Sequence, residues 1–199
     1  SSEIKIAYMF PEALNKRKEL HSEIGSSFND IFEEAVIRVT ESIQNGGTLF
    51  FAGNGGSAAE SQHMSAEYIA TLDHNKFRPG IRSMALTVDT SLITAWTNDF
   101  GYEEVFKRQI ETLSAEGDVF FAYSTSGNSL NILKALELSK EKNITTIGFS
   151  GNDGGKMLDL CDICFVVPHG NTALIQEIHT IIGHEICSSV EKSLFFSDN

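Results

Sequence analysis

The sequence predicts an α/β protein: a three-layer sandwich with a five-stranded parallel sheet, extended by helices at its N- and C-terminal ends. Three observations carry the prediction. Five short apolar runs alternate with helical stretches, and such alternation requires crossover connections, which make neighbouring strands parallel. The runs are almost continuously apolar, as expected of strands covered on both faces. A chain of 199 residues with 41% hydrophobic content is the size of one domain and can bury a substantial core.

Residues 12–46 read as one long helix, with Ile24, Phe28, Ile31, Phe32, Ala35, Val36, Val39 and Ile43 at helical spacing. Asn45-Gly46-Gly47 stops it. This helix is an N-terminal extension, about residues 1–46, of a single domain spanning 1–199. Strands are predicted at Thr48–Ala52, Ser83–Val88, Val119–Ser124, Thr145–Ser150 and Ile163–Pro168. Helices are predicted between them at 57–71, 101–115, 128–142 and, briefly, 153–160, with a last helix at 172–195. Pro11, Pro79 and Pro168 all fall outside helix interiors. Phe28, Phe32, Ile181, Ile182 and Ile186 exceed what one buried helix face needs, and are candidates for contact between copies in a closed oligomer.

The net charge of −12 argues against nucleic acid as a partner, since that binding needs clustered Lys and Arg. It does not exclude a small anion, which backbone N–H groups attract locally. No apolar run is long enough for a membrane span. The start, SSEIKIAYMF, lacks the basic lead and apolar core of a signal peptide, so a cytoplasmic setting is expected. Cys161 and Cys164 form a CxxC pair that opens a strand, and only Cys187 remains, too few for a zinc ribbon. Ordinary buried thiols are the expectation.

In a doubly wound sheet, ligands sit beyond the carboxyl ends of the strands. The first strand ends in Gly53-Asn54-Gly55-Gly56-Ser57-Ala58. The pattern matches the GxGxxA form of the dinucleotide turn, but that turn needs an acidic residue about twenty places on. Asp89 lies much further along, so no nucleotide cofactor is expected. A glycine turn that also caps a helix with serine fits an oxyanion site better. The third strand ends in Ser124-Thr125-Ser126-Gly127-Asn128-Ser129, with four hydroxyls in six residues at a helix start. No lysine follows the glycine, so this is not a triphosphate loop. The expected ligand is a phosphate monoester on a small molecule. Just after the first loop, His63 and Glu67 stand four apart on one helix face.

The two loops together resemble the sugar isomerase (SIS) domain family, whose fold is flavodoxin-like. GNGGSAAESQHMSAE, the WTNDFGYEEVFKRQIE stretch, STSGNS and IQEIHTIIGH are similar to one branch, the sedoheptulose 7-phosphate isomerases, over roughly residues 25–195. The resemblance implies conversion of sedoheptulose 7-phosphate to glycero-manno-heptose 7-phosphate, opening bacterial heptose synthesis for lipopolysaccharide or capsule. It implies a homotetramer with interfacial sites and a bound zinc. By motif, Glu67 and His184 would be the acid–base pair. Asn54, Gly55, Gly56, Ser57, Ser124, Thr125, Ser126, Ser129 and Gln176 would hold the substrate, with Asn98 and Asp99 lining the sugar site. His63, Glu67, Gln176 and His184 would be the metal positions. Two departures stand out: Ala70-Thr71-Leu72 where the branch usually has Gly-Arg-Tyr, and Ala173-Leu174 where it often has Asp-Arg. The alternatives are isomerisation of another phosphosugar, or a non-catalytic SIS phosphosugar-binding regulator.

The residues suit the chemistry. Moving a proton between adjacent carbons through an enediol needs a base at the carbons and an acid at the oxygens. A partly desolvated Glu67 fits the first role and His184 the second. Two imidazoles and a carboxylate also make a familiar zinc set. Gln176 and His184 are eight apart, about 12 Å of rise and 80° around the axis, so both must lean inward to share an ion. A carboxylate bound firmly to zinc takes up a proton poorly, so weakly held zinc is expected. His179 is expected to be a buried helix histidine.

Overall fold

The computed structural model describes residues 3–7 and 9–196. Helices α1 (Phe10–Ile24) and α2 (Asn29–Gln44) lead into strand β1 (Leu49–Ala52). Then follow α3 (Gly56–Ile69), β2 (Ser83–Ala85), α4 (Thr90–Phe100), α5 (Val105–Leu113), β3 (Val119–Tyr123), α6 (Leu130–Glu141), β4 (Thr145–Gly151), β5 (Ile163–Val167) and α7 (Thr172–Glu191). Short 3₁₀ turns stand at Tyr102–Glu104 and Lys156–Asp159. The sheet order is β2-β1-β3-β4-β5, and every pairing is parallel, as predicted.

Paired phenylalanines divide the molecule into layers. Successive strand residues point to opposite faces, so Phe50-Phe51 and Phe120-Phe121 each send one ring to either side. Phe51 and Phe121 stack at 4.4 Å on the face covered by α1, α2, α3 and α7. Phe50 and Phe120 face α5 and α6. Phe149 and Phe165 extend the first core toward β5, where Phe28 meets Phe165 edge-on at 5.5 Å.

The N-terminal extension is two helices, not one. Gly25 takes φ +49° at the end of α1, a conformation glycine adopts without a Cβ clash, and its N–H still bonds to the His21 carbonyl. The apolar spacing runs on past the break because both helices pack on the same core. Helix α4, absent from the sequence reading, buries no residue fully; Asp89 caps it through the Leu92 N–H at 3.0 Å. Ile182 and Ile186, read as candidates for contact between copies, are instead buried within this chain, while Ile181 remains exposed.

Beyond α3, Arg78 and Glu191 form an ion pair at 2.8 Å with both side chains buried. Arg78 also donates to the carbonyls of Glu67 and Tyr68, the last turn of α3. Helices α3 and α7 are thereby tied on one face of the sheet. No helix among the described residues is long and apolar enough to cross a membrane.

His179, on α7, is 1% exposed and its Nε2–H donates to the Ser150 carbonyl at 2.9 Å. Burial pulls its pKa down to about 4. The unfolded chain takes up this proton near pH 6.5 and the folded chain only near 4. Stability from neutral His179 is therefore full above about pH 6.5 and declines as pH falls toward 4, by about 3 kcal/mol in all. Urea unfolding of the protein and of a His179→Asn variant across this window should show the difference. Parallel pH profiles for the two proteins would reject it.

Candidate active site

Strands β1 and β3 are neighbours, with Ala52 opposite Ala122, so the loops that follow them open side by side. The residue capping α3 is Gly55, at φ +57°, whereas Ser57 lies inside the first turn, buried. The predicted serine cap is thus replaced by a glycine with no side chain between its N–H groups and a ligand. Asn54 pairs its amide with that of Asn131 on α6, at 3.0 and 2.9 Å, which fastens the first loop to the helix following the second.

The serines of the second loop converge. The Ser124 hydroxyl lies 2.8 Å from that of Ser129 and 3.4 Å from that of Ser126. Backbone N–H groups of Ser129 and Asn128 point into the same cluster. Gly127 is required here: its φ is +69°, and a Cβ would overlap the Gly154 carbonyl. Thr125 is half-buried beside the cluster.

Helices α3 and α7 bring the acid–base candidates together. The Nε2 atoms of His63 and His184 are 2.7 Å apart. On the other side of the His63 ring, Nδ1 lies 3.8 Å from a Glu67 carboxylate oxygen, whose side chain is 19% exposed. With Glu67 ionised, one tautomer satisfies all three: His184 donates through Nε2–H, and His63 turns Nδ1–H toward the carboxylate. Gln176, near the N-terminal end of α7, lies over Gly56; a Cβ at Gly56 would be 2.7 Å from the Gln176 amide oxygen. Gly56, His63 and Gln176 share a cleft of about 420 Å³ with Glu60, Ala173 and Thr180.

The four metal candidates have suitable chemistry, but they do not gather about one point. Glu67 meets one edge of the His63 ring and His184 the other. Among the described residues no three His, Cys, Asp or Glu side chains are grouped as for an ion.

Asn98 and Asp99 sit on the exposed last turn of α4 and hydrogen-bond to each other at 3.0 Å. The bond to the first loop is made by Tyr102, whose hydroxyl donates to Asn54 at 2.6 Å. Tyr102, Asn131 and Glu60 escaped the sequence reading. Glu60 had a signal, standing three residues before His63 on the same helix face; its carboxylate accepts from the Thr180 hydroxyl at 2.8 Å.

A doubly wound sheet with a glycine turn and a hydroxyl cluster at neighbouring strand ends defines a SIS-domain protein, and a model of the SIS domain matches residues 14–151. The chain belongs, within that class, to the phosphoheptose isomerase family. It is 49% identical over 165 residues to a phosphoheptose isomerase of Aneurinibacillus thermoaerophilus, covering 83% of this chain and 82% of the relative. It is 50% identical to phosphoheptose isomerase 2 of Campylobacter jejuni subsp. jejuni serotype O:2, covering 83% and 81%. The solved phosphoheptose isomerase of Neisseria gonorrhoeae superposes with a TM-score of 0.85 at 32% identity, covering 92% of this chain and 96% of that one.

The hydroxyl cluster sets an expectation. Replacing Ser126 and Ser129 together with Ala should weaken binding of inorganic phosphate and of sugar phosphate by about tenfold or more, since each lost bond to a charged group is worth about 1.5–3 kcal/mol. Calorimetry showing undiminished phosphate affinity would exclude the cluster as the anion site.

Proposed function

We propose that the protein is an aldose–ketose isomerase converting sedoheptulose 7-phosphate to D-glycero-D-manno-heptose 7-phosphate, the opening step toward the heptose of lipopolysaccharide or capsule. The observation that carries the proposal is the meeting of Glu67 and His184 across His63, which shares a cleft with Gly56 of the glycine turn. The phosphate is held at the Ser124–Ser129 cluster and the N-terminus of α6, and Gln176 and Asn54 position the chain of the sugar. Asn98 and Asp99 line its far end.

Proton bookkeeping follows from the two roles. Glu67 takes a proton from C1 of the open-chain ketose. His184 donates its Nε2 proton to the C2 oxygen, which replaces His63 as its partner, and an enediol forms. His184 then takes the C1 hydroxyl proton, and Glu67 returns its proton to C2. The net change moves one hydrogen from C1 to C2 and one from O1 to O2. Holding both groups on helices tied by Arg78 and Glu191 keeps them oriented for each half-reaction.

A second substrate reading has its own support. Ala173 lines the cleft beside Gln176, at a position where the branch often carries Asp-Arg, so the sugar chain meets a different wall. Another ketose phosphate of similar length is the alternative. Proton NMR of the protein with a panel of ketose phosphates separates the two. Glu67→Gln should bind substrate about as well as the parent and turn it over at least about 10²-fold more slowly, the low end of general-base effects. Near-parental turnover would remove Glu67 from the base role.

Zinc held by His63, Glu67, Gln176 and His184 fits the donor chemistry, and would polarise a substrate oxygen. Binding must first part the two imidazoles, which argues for weak, exchangeable metal. Chelation should lower activity without abolishing it, and zinc added back should shift the His63 and His184 ring signals in NMR spectra. Unmoved ring signals in zinc-supplemented protein would exclude the site. Assembly as a homotetramer in the cytoplasm completes the proposal. Exposed Ile4, Ile6, Phe10 and Leu14 supply apolar surface for it, and sedimentation showing a monomer would overturn that part.

A further inference from the structure

The CxxC pair departs from the sequence expectation. Cys187 is buried, but Cys161 and Cys164 are only half-buried, at the start of the edge strand β5. They also face the same point. Gly148 of the neighbouring strand leaves a slot that both sulfurs enter: a Cβ there would stand 2.5 Å from Cys161 Sγ and 3.2 Å from Cys164 Sγ. The bend at Asp162 directs them together, and the side chain of Asp162 is fixed by the Thr146 N–H at 2.8 Å. The Cys164 sulfur also lies 3.8 Å from the Ser150 hydroxyl.

We propose that Cys161 and Cys164 are a reversible dithiol–disulfide couple, closed by exchange with a small-molecule disulfide, and that closure alters the phosphate loop. Neither half of the pair takes part in the isomerase mechanism, so the couple itself does not depend on that reading; its effect on the loop does rest on the phosphate assignment.

The chemistry balances by thiol–disulfide exchange. The Cys164 sulfur attacks one sulfur of the reagent disulfide and expels a thiolate, leaving a mixed disulfide on Cys164. The Cys161 thiol then loses its proton, attacks the Cys164 sulfur and expels the second thiolate. Two protein thiols are oxidised and one reagent disulfide is reduced to two thiols. Cys164 is the attacking group because the neighbouring Cys161 thiol holds its pKa below the ordinary thiol value, while Cys161 is pushed up.

The path to the phosphate loop is two hydrogen bonds long. The Cys161 N–H bonds to the Met157 carbonyl at 3.1 Å, and the Met157 N–H bonds to the Gly127 carbonyl at 3.0 Å. Gly155, in the same turn, packs so closely on Ser126 that a Cβ would lie 2.5 Å from its carbonyl oxygen. Forming the bond draws the sulfurs to about 2 Å and so pulls Cys161 and its turn toward β5. Gly127 and Ser126 sit on the other side of that turn.

The test treats reduced protein with excess glutathione disulfide, blocks remaining thiols and reads the products by mass spectrometry. The expected product is two hydrogens lighter, carries a linked Cys161–Cys164 peptide and regains both thiols on reduction. Cys161→Ser should stop at one glutathione adduct on Cys164, and Cys164→Ser should form none. Wild-type protein that stays fully alkylatable, or that stops at an adduct, overturns the couple. Calorimetry with inorganic phosphate then compares the two forms, with a change of about fivefold expected, the low end of ordinary coupling between sites. Equal affinities overturn the link to the loop. Failure of the reduced protein to bind phosphate would instead overturn the phosphate assignment and leave the mass result standing.

Discussion

Gly183 carries no side chain where α7 crosses α3, and a Cβ there would stand 3.0 Å from the Met64 sulfur. The two helices approach closely because of it. Met64 and Gly183 are each the immediate neighbour in sequence of a site histidine, His63 and His184. The close crossing therefore carries the two imidazoles to the 2.7 Å at which they meet. A larger residue at 183 would push α7 outward, and the cost would be felt in the site as well as in the core. Arg78 and Glu191 fix the same pair of helices further along, so the spacing is held at two points.

The hydroxyl cluster shows a different kind of order. The Ser124 hydroxyl bonds to those of Ser126 and Ser129, and the loop keeps its shape through those bonds and through Gly127. A hydroxyl proton rotates at little cost, so each can turn from its neighbour toward an arriving phosphate oxygen. The cluster is thus formed in advance, which would lower the ordering cost of holding an anion there. The Asn54–Asn131 amide pair joins this loop region to the glycine turn, so the two behave as one rim.

The sheet was legible because its strands are short, nearly continuous apolar runs that alternate with helical stretches. Helix α4 was not, and none of its residues is fully buried. The break at Gly25 was masked by an apolar pattern that continues through it. In the site, short-range relations were readable: His63 and Glu67 share a helix face, and the serines share a loop. Long-range relations were only partly so. Tyr102 reaching Asn54, and Glu60 receiving Thr180, depend on how helices cross, which no local spacing records.

The segment between α3 and β2 is secured by its main chain. Arg78 grips the carbonyls of Glu67, Tyr68 and Pro79, and Glu191 accepts the N–H of Leu72 at 2.8 Å. These anchors ask nothing of the side chains at 73–77, where Phe77 is 96% exposed. Natural variation can therefore rewrite or lengthen this tip without disturbing the helices beneath it. What the surface of this tip meets can therefore change while the helices below keep their places.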